Sequence, residues 1–183
     1  MRVVAGALRG RPLRGFKGRR IRPTSDRVKE AIFNVLASRG FFTSEPLVLD
    51  LFAGSGGLGI EALSRGAVEA VFVDVNPQAT GLIKKNIESL GLADKALILC
   101  KEAGRAVKGM QRNGALFDII FMDPPYESAL IEATLEGSVS ILAPGGIIAA
   151  EGPKGLSIEA AKSGLQLLDK RIYGDTAVFF LGR

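Results

Sequence analysis

Short apolar runs alternate along this chain with stretches whose apolar positions recur every three or four residues. The first periodic stretch, with Val28, Ala31, Ile32, Val35 and Leu36 on one face, predicts a helix that Thr24 or Ser25 can cap and that ends near Gly40. Leu47 to Phe52 then reads as a buried parallel strand, interrupted only by Asp50. After a Gly-rich turn, Leu58, Ile60, Ala62 and Leu63 mark a helix stopped by Gly66. A strand from Ala70 to Val73 ends at Asp74, and Asn76 caps a helix that has Pro77 at its first position and Gly91 at its close. The alternation continues with a strand from Ala96 to Leu99, a weaker helix from Ala103 to Met110, and a strand from Phe117 to Met122. A helix from about Ala129 to Leu142, stopped at Pro144-Gly145-Gly146, precedes a strand from Ile147 to Ala150. The end changes character: Leu165 to Ile172 and Thr176 to Leu181, joined by Tyr173-Gly174-Asp175, predict an antiparallel pair. Strands alternating with helices imply right-handed crossovers, hence a Rossmann-like α/β fold whose mostly parallel sheet carries a C-terminal antiparallel hairpin.

Composition narrows the class. The 183 residues suit a single domain, 1–183, and no apolar stretch reaches the roughly 18 residues that span a bilayer. The N-terminus is basic but lacks the apolar segment of a secretory signal. One cysteine, Cys100, excludes an internal disulfide and suits a reducing cytoplasm; closing an apolar run, it is expected to pack inside. With no histidine, a zinc site and a His-based triad are excluded, and no metal is expected. Charge matters more by position than by its total of +5. Residues 1–30 hold ten Lys or Arg against two acids, so they carry +8 and the remainder −3. A basic extension over 1–23, expected as a β-hairpin on a catalytic core of 24–183, reads as a binding arm for a polyanion. Arg9, Arg11, Arg19, Arg20 and Arg22, with Arg27 just beyond it, are the candidate contacts to that polyanion.

Candidate chemistry gathers at the predicted carboxyl ends of the strands, where open α/β sheets bind ligands. Gly54, Gly56 and Gly59 match G-x-G-x-x-G, which lets a backbone approach a ligand closely; NAD, FAD and S-adenosylmethionine sites all use this spacing. Asp74, twenty residues after Gly54, suits a ribose diol of any of them. Asp50 favours the sulfonium cofactor. A carboxylate ending an apolar strand calls for a cationic or donor-rich partner, which a methionine ammonium supplies and a pyrophosphate does not, although nearby backbone amides could also satisfy it. The strongest signal is Asp123-Pro124-Pro125-Tyr126. Two prolines remove two amide donors and leave carbonyl oxygens unpaired locally. Such acceptors, aimed at the protons of an exocyclic base amine, restore the nitrogen lone pair for attack on a methyl group, while Tyr126 stacks on the extruded base.

Asp50–Gly59 and Asp123–Tyr126 resemble two motifs of amino-methylating S-adenosylmethionine enzymes. Met1–Gly6, Arg22–Asn34 and Tyr173–Thr176 narrow the likeness: over nearly its whole length the chain resembles the RsmD family of 16S ribosomal RNA guanine-N2 methyltransferases. The resemblance implies a catalytic set of Asp123, Pro124, Pro125 and Tyr126. It implies a cofactor set of Asp50, Phe52, Ala53, Gly54, Ser55, Gly56, Asp74, Val75, Glu102 and Ala103, with Thr24 and Asn34 on the preceding helix. S-adenosylhomocysteine would be the product, and the partner would be 16S ribosomal RNA within a small-subunit particle, with the enzyme monomeric, cytoplasmic and free of membranes. Gly152-Pro153-Lys154-Gly155 departs from the family pattern. Three other readings compete. An adenine-N6 or other amino methyltransferase acting on DNA or another RNA would share Asp123–Tyr126, but so short a chain leaves no room for a separate target-recognition domain. A non-catalytic RNA-binding assembly factor would not need Asp50, Asp74 and Asp123 intact. An NAD oxidoreductase is disfavoured by Asp50 and the Asp-Pro-Pro-Tyr turn.

Overall fold

The computed structural model describes residues 1–16, 26–124, 128–158 and 163–183. Helix α1 (Asp26–Ser38) leads into β1 (Leu47–Leu51), α2 (Gly57–Ser64), β2 (Glu69–Asp74), α3 (Pro77–Leu90) and β3 (Ala96–Cys100). Then come α4 (Ala103–Arg112), β4 (Phe117–Met122), α5 (Ser128–Ser138), β5 (Leu142–Pro153), β6 (Gln166–Tyr173) and β7 (Thr176–Gly182). The strands form one seven-stranded sheet in the order β3-β2-β1-β4-β5-β7-β6. β1 to β5 run parallel, while β7 is antiparallel to both β5 and β6. The order reverses direction between β1 and β4, and this switch point carries the candidate site.

Strand alternation divides the core. Val48, Phe72, Ile119, Phe121, Ile147 and Ala149 pack on one face with Phe33 of α1, Ile60 of α2 and Ile83 of α3. Leu49, Leu51, Val73, Ile120 and Met122 pack on the other with Val107 of α4 and Leu135 of α5. Local chemistry fixes α3: the Asn76 side chain accepts from the Gln78 amide, Pro77 opens the helix, and Gly91 closes it at φ 70°.

Three expectations change. The helix expected to reach Leu142 stops at Ser138, and a 3₁₀ turn over Val139–Ile141 delivers Leu142 to pair with Phe117. Pro144-Gly145-Gly146 is therefore no helix stop. It lies within β5, where the register shifts between Phe117 and Ile119. Cys100 is exposed, because β3 is an edge strand and its last residue lacks a covering neighbour. Over residues 1–16 the basic N-terminal segment reverses in hairpin fashion through one antiparallel bridge, Arg2 to Pro12, and packs against the body of the fold. Val3 and Leu13 are buried in the main core, and Val4, Ala5 and Leu8 spend their amides on side chains of α2 instead of on a partner strand.

Candidate active site

The β1–α2 turn is held in shape by bonds to the neighbouring strand. Ala53 N–H donates to Val73 O at 3.0 Å, and Gly56 N–H to Ala53 O at 2.7 Å. Phe52 adopts φ 61°, a left-handed conformation that costs an aromatic residue about 1–2 kcal/mol and is retained where a turn must take one shape. Gly56 caps α2 at φ 79°. Gly59 allows α2 to lie on β2, since a Cβ there would stand 2.3 Å from Phe72 Cε1. Gly59→Ala should therefore lower stability by about 1–3 kcal/mol through overpacking, seen as a drop of several degrees in a thermal melt. An unchanged melt would mean that Phe72 has room to turn aside.

Asp74 ends β2 with its carboxylate shared between two amides, Gly54 N–H at 2.8 Å and Asn76 N–H at 2.8 Å. Each oxygen keeps a lone pair, so a diol can still donate to it. Asp50, 2% exposed, accepts from Gly59 N–H at 2.8 Å. Amide satisfaction and a role toward a cation therefore stand side by side. Burial pushes the Asp50 carboxyl from its ordinary 3.8 up to about 8; the Gly59 amide opposes this, and the Asp123 and Asp74 charges reinforce it. A carboxyl so desolvated is poised to ionise against a cation.

The register gathers these groups. Asp50 is level with Phe72 and Phe121, and Leu51 with Val73 and Met122. Asp74 and Asp123 each follow one residue later, with the same alternation as Phe72 and Phe121, so all three carboxylates leave the sheet toward the α1–α3 face. Asp123 is half-buried and Pro124 buried. Val75, 67% exposed beside Asp74, offers an uncovered apolar surface for a flat ring. Ala103 is buried in the first turn of α4, whereas Glu102 precedes it with its side chain 60% exposed and paired to Arg105 at 3.4 Å. Asn34 is exposed on α1. Arg9, Arg11 and Arg27 are exposed, and Arg11 donates to Ser89 O at 3.1 Å. Thr24, Arg19, Arg20, Arg22, Pro125 and Tyr126 lie outside the described residues. A glycine turn with two carboxylates, one of them buried and able to ionise against a cation, fits S-adenosylmethionine better than a dinucleotide, whose anionic pyrophosphate gains nothing from that ionisation.

Sequence reading missed the residues that seat the N-terminal segment here. Buried Glu61 accepts from Val4 N–H at 2.7 Å and Ala5 N–H at 2.9 Å, and pairs with Lys29 at 3.5 Å and Arg65 at 2.9 Å. Lys29 in turn donates to Arg2 O at 2.6 Å. Asn86, fully buried, accepts from Arg14 N–H at 2.9 Å and donates to Arg14 O at 3.1 Å and Ser55 O at 3.0 Å. It ties the basic segment directly to the glycine turn. Glu61 and Asn86, polar on otherwise apolar helix faces, were the available signal.

Among the described residues, no group of three or more His, Cys, Asp or Glu side chains is arranged to hold a metal ion, and no helix is long and apolar enough to cross a membrane.

The family model described as Conserved hypothetical protein 95 matches residues 1–182. YlbH of Bacillus subtilis is 39% identical over 180 residues, covering 97% of this chain and 96% of its own. The ribosomal RNA small subunit methyltransferase D of Haemophilus influenzae is 35% identical over 135 residues, covering 74% of this chain and 68% of its own. Among solved structures, yhhF of Escherichia coli superposes with a TM-score of 0.85 at 32% identity, covering 100% of this chain and 97% of that one. Sequence, sheet order and the grouping of Asp50, Asp74 and Asp123 converge: the chain belongs to the family of Conserved hypothetical protein 95, the RsmD family of ribosomal RNA methyltransferases.

Proposed function

We propose that the protein transfers a methyl group from S-adenosylmethionine to the exocyclic N2 amine of a guanine in 16S ribosomal RNA, acting as a cytoplasmic monomer on small-subunit particles. The observation that carries this reading is the position of Asp123 just past the end of β4, on the same face as Asp50 and Asp74 and one strand from the glycine turn, with Pro124 next in the chain. Family membership supports the RNA substrate.

S-adenosylmethionine, when bound, would supply an electrophilic methyl group for the amine nitrogen, with the neutral thioether as leaving group. Asp50 and Asp74 would hold its cationic and ribose parts in place. Asp123 and the Pro124 carbonyl accept the amine protons, which draws the nitrogen lone pair out of the ring; the proton shed after transfer passes to the Asp123 carboxylate. Positioning in a dry cleft supplies most of the rate. Exposed Arg9, Arg11 and Arg27 hold phosphates.

The test is transfer of labelled methyl to small subunits from cells lacking this protein, followed by nucleoside analysis and mapping of the modified nucleotide. Label in N2-methylguanosine is expected. Label in N6-methyladenosine would move the substrate to adenine, and cofactor binding without transfer to any nucleic acid would make the protein an assembly factor. Replacing Arg9 and Arg11 with alanine should weaken RNA binding and reduce the slope of log affinity against log salt by about 1.5, with cofactor affinity unchanged. An unaltered slope would remove these residues from the RNA surface.

A further inference from the structure

Glu151 has no role in the transfer just described, yet it is 5% exposed at the end of the buried run Ile147, Ile148, Ala149, Ala150 in β5. A carboxylate in that position is costly, as it is for Asp50 in β1. Its place follows from the register. β4 and β5 run parallel with Phe121 level with Ala149 and Met122 level with Ala150, so one step further sets Glu151 level with Asp123. Ile147 and Ala149 pack in the same core layer as Ile119 and Phe121, so the side chains of Glu151 and Asp123 leave the sheet on the same face. Adjacent strands lie about 4.8 Å apart, so carboxylate side chains on neighbouring strands can converge on two adjacent donors of one purine edge.

Across the sheet the carboxylates run Asp74, Asp50, Asp123, Glu151 on β2, β1, β4 and β5. The first two flank the glycine turn. Glu151 lies on the far side of Asp123 from that turn. Guanine presents N1–H beside its N2 amine, two adjacent donor groups, whereas adenine presents a bare N1 acceptor beside its amine. A second carboxylate next to Asp123 is complementary to the first pattern and repels the second. Glu151 is already engaged within the protein before a base arrives.

We infer that Glu151 accepts the guanine N1–H while Asp123 and the Pro124 carbonyl hold the N2 amine, making Glu151 the residue that selects guanine over adenine. This rests on the guanine-N2 reading above. Selectivity of this kind comes from leaving a buried acceptor facing a lone pair, and reaches several orders of magnitude where a site is built around one donor.

The probe is 2-aminopurine, which keeps the N2 amine but has a bare N1. Small subunits are reconstituted on RNA carrying guanine or 2-aminopurine at the mapped nucleotide, and kcat/KM is measured for each. Wild-type protein should prefer guanine by about 100-fold or more. Glu151→Gln, whose amide can donate to a bare N1 or accept from N1–H, should narrow that preference at least tenfold, with cofactor affinity unchanged. A merely structural glutamate would lower both substrates alike. A wild-type preference below threefold overturns the inference without any variant, and an unchanged ratio in Glu151→Gln or Glu151→Asp does the same. Failure to find N2-methylguanosine with any RNA would instead overturn the reading beneath it.

Discussion

Asp123→Ala should lower the rate of methyl transfer by about 10²–10³-fold while leaving cofactor affinity within a few-fold of wild type. The amine nitrogen is a weak nucleophile because its lone pair is delocalised into the ring, and the acceptors on its protons are what localise it. Removing the carboxylate leaves only the Pro124 carbonyl in that role. Asp123→Asn keeps one acceptor oxygen but adds donors that oppose the amine protons, so its activity should fall nearly as far. Single-turnover transfer separates this chemical step from RNA binding and product release, and a calorimetric titration reports the cofactor independently. Full single-turnover activity in Asp123→Ala would remove the proposed mechanism. Loss of cofactor binding in step with activity would place Asp123 in the cofactor site instead.

What could be read in the sequence was what depends on neighbours along the chain. The Asn76-Pro77 start and Gly91 stop of α3 are local chemistry and appear as expected. The runs at Leu47, Ala70 and Phe117 read as buried parallel strands and are found as such, whereas their order in the sheet is seen only in the structure. The end of α5 was misplaced because Pro144 looks like a helix stop, while the pairing of Leu142 with Phe117 is a tertiary event with no local mark. Cys100 looked buried because periodicity reports apolar neighbours and not whether a strand lies at an edge. The N-terminal charge suggested a basic hairpin on the core; the seating of residues 1–16 depends on Glu61, Ser64 and Asn86, which meet it from 56 to 72 positions away. Glu151 was legible in principle. It breaks an apolar run at a strand end, the same signal that singled out Asp50, but without the register nothing set it beside Asp123.

Asp50→Asn should make the free protein more stable and the cofactor weaker, with both effects depending on pH. In the fold, burial raises the Asp50 carboxyl from 3.8 to about 8, so between those values the folded protein keeps a proton that the unfolded chain releases. The stability this group allows is fully present below about pH 4 and is lost progressively as pH rises toward 8. Asparagine does not titrate, and its side-chain oxygen can still accept from the Gly59 amide, so the variant escapes the loss. Relative to wild type it should be near parity at about pH 4 and more stable at about pH 8 by on the order of 5 kcal/mol, raising Tm by roughly 10 °C or more. Cofactor binding reverses the balance. A cationic ligand favours the ionised carboxylate, so wild-type protein should release up to one proton on binding at neutral pH, measurable as a heat that varies with the ionisation enthalpy of the buffer. The variant should release none and bind about 10–100-fold more weakly, the usual loss of a charge-assisted hydrogen bond. If its stability advantage does not grow with pH, Asp50 is ionised in the free protein. If its affinity is unchanged as well, the carboxylate serves only to clamp Gly59, and the cation it waits for must be held elsewhere.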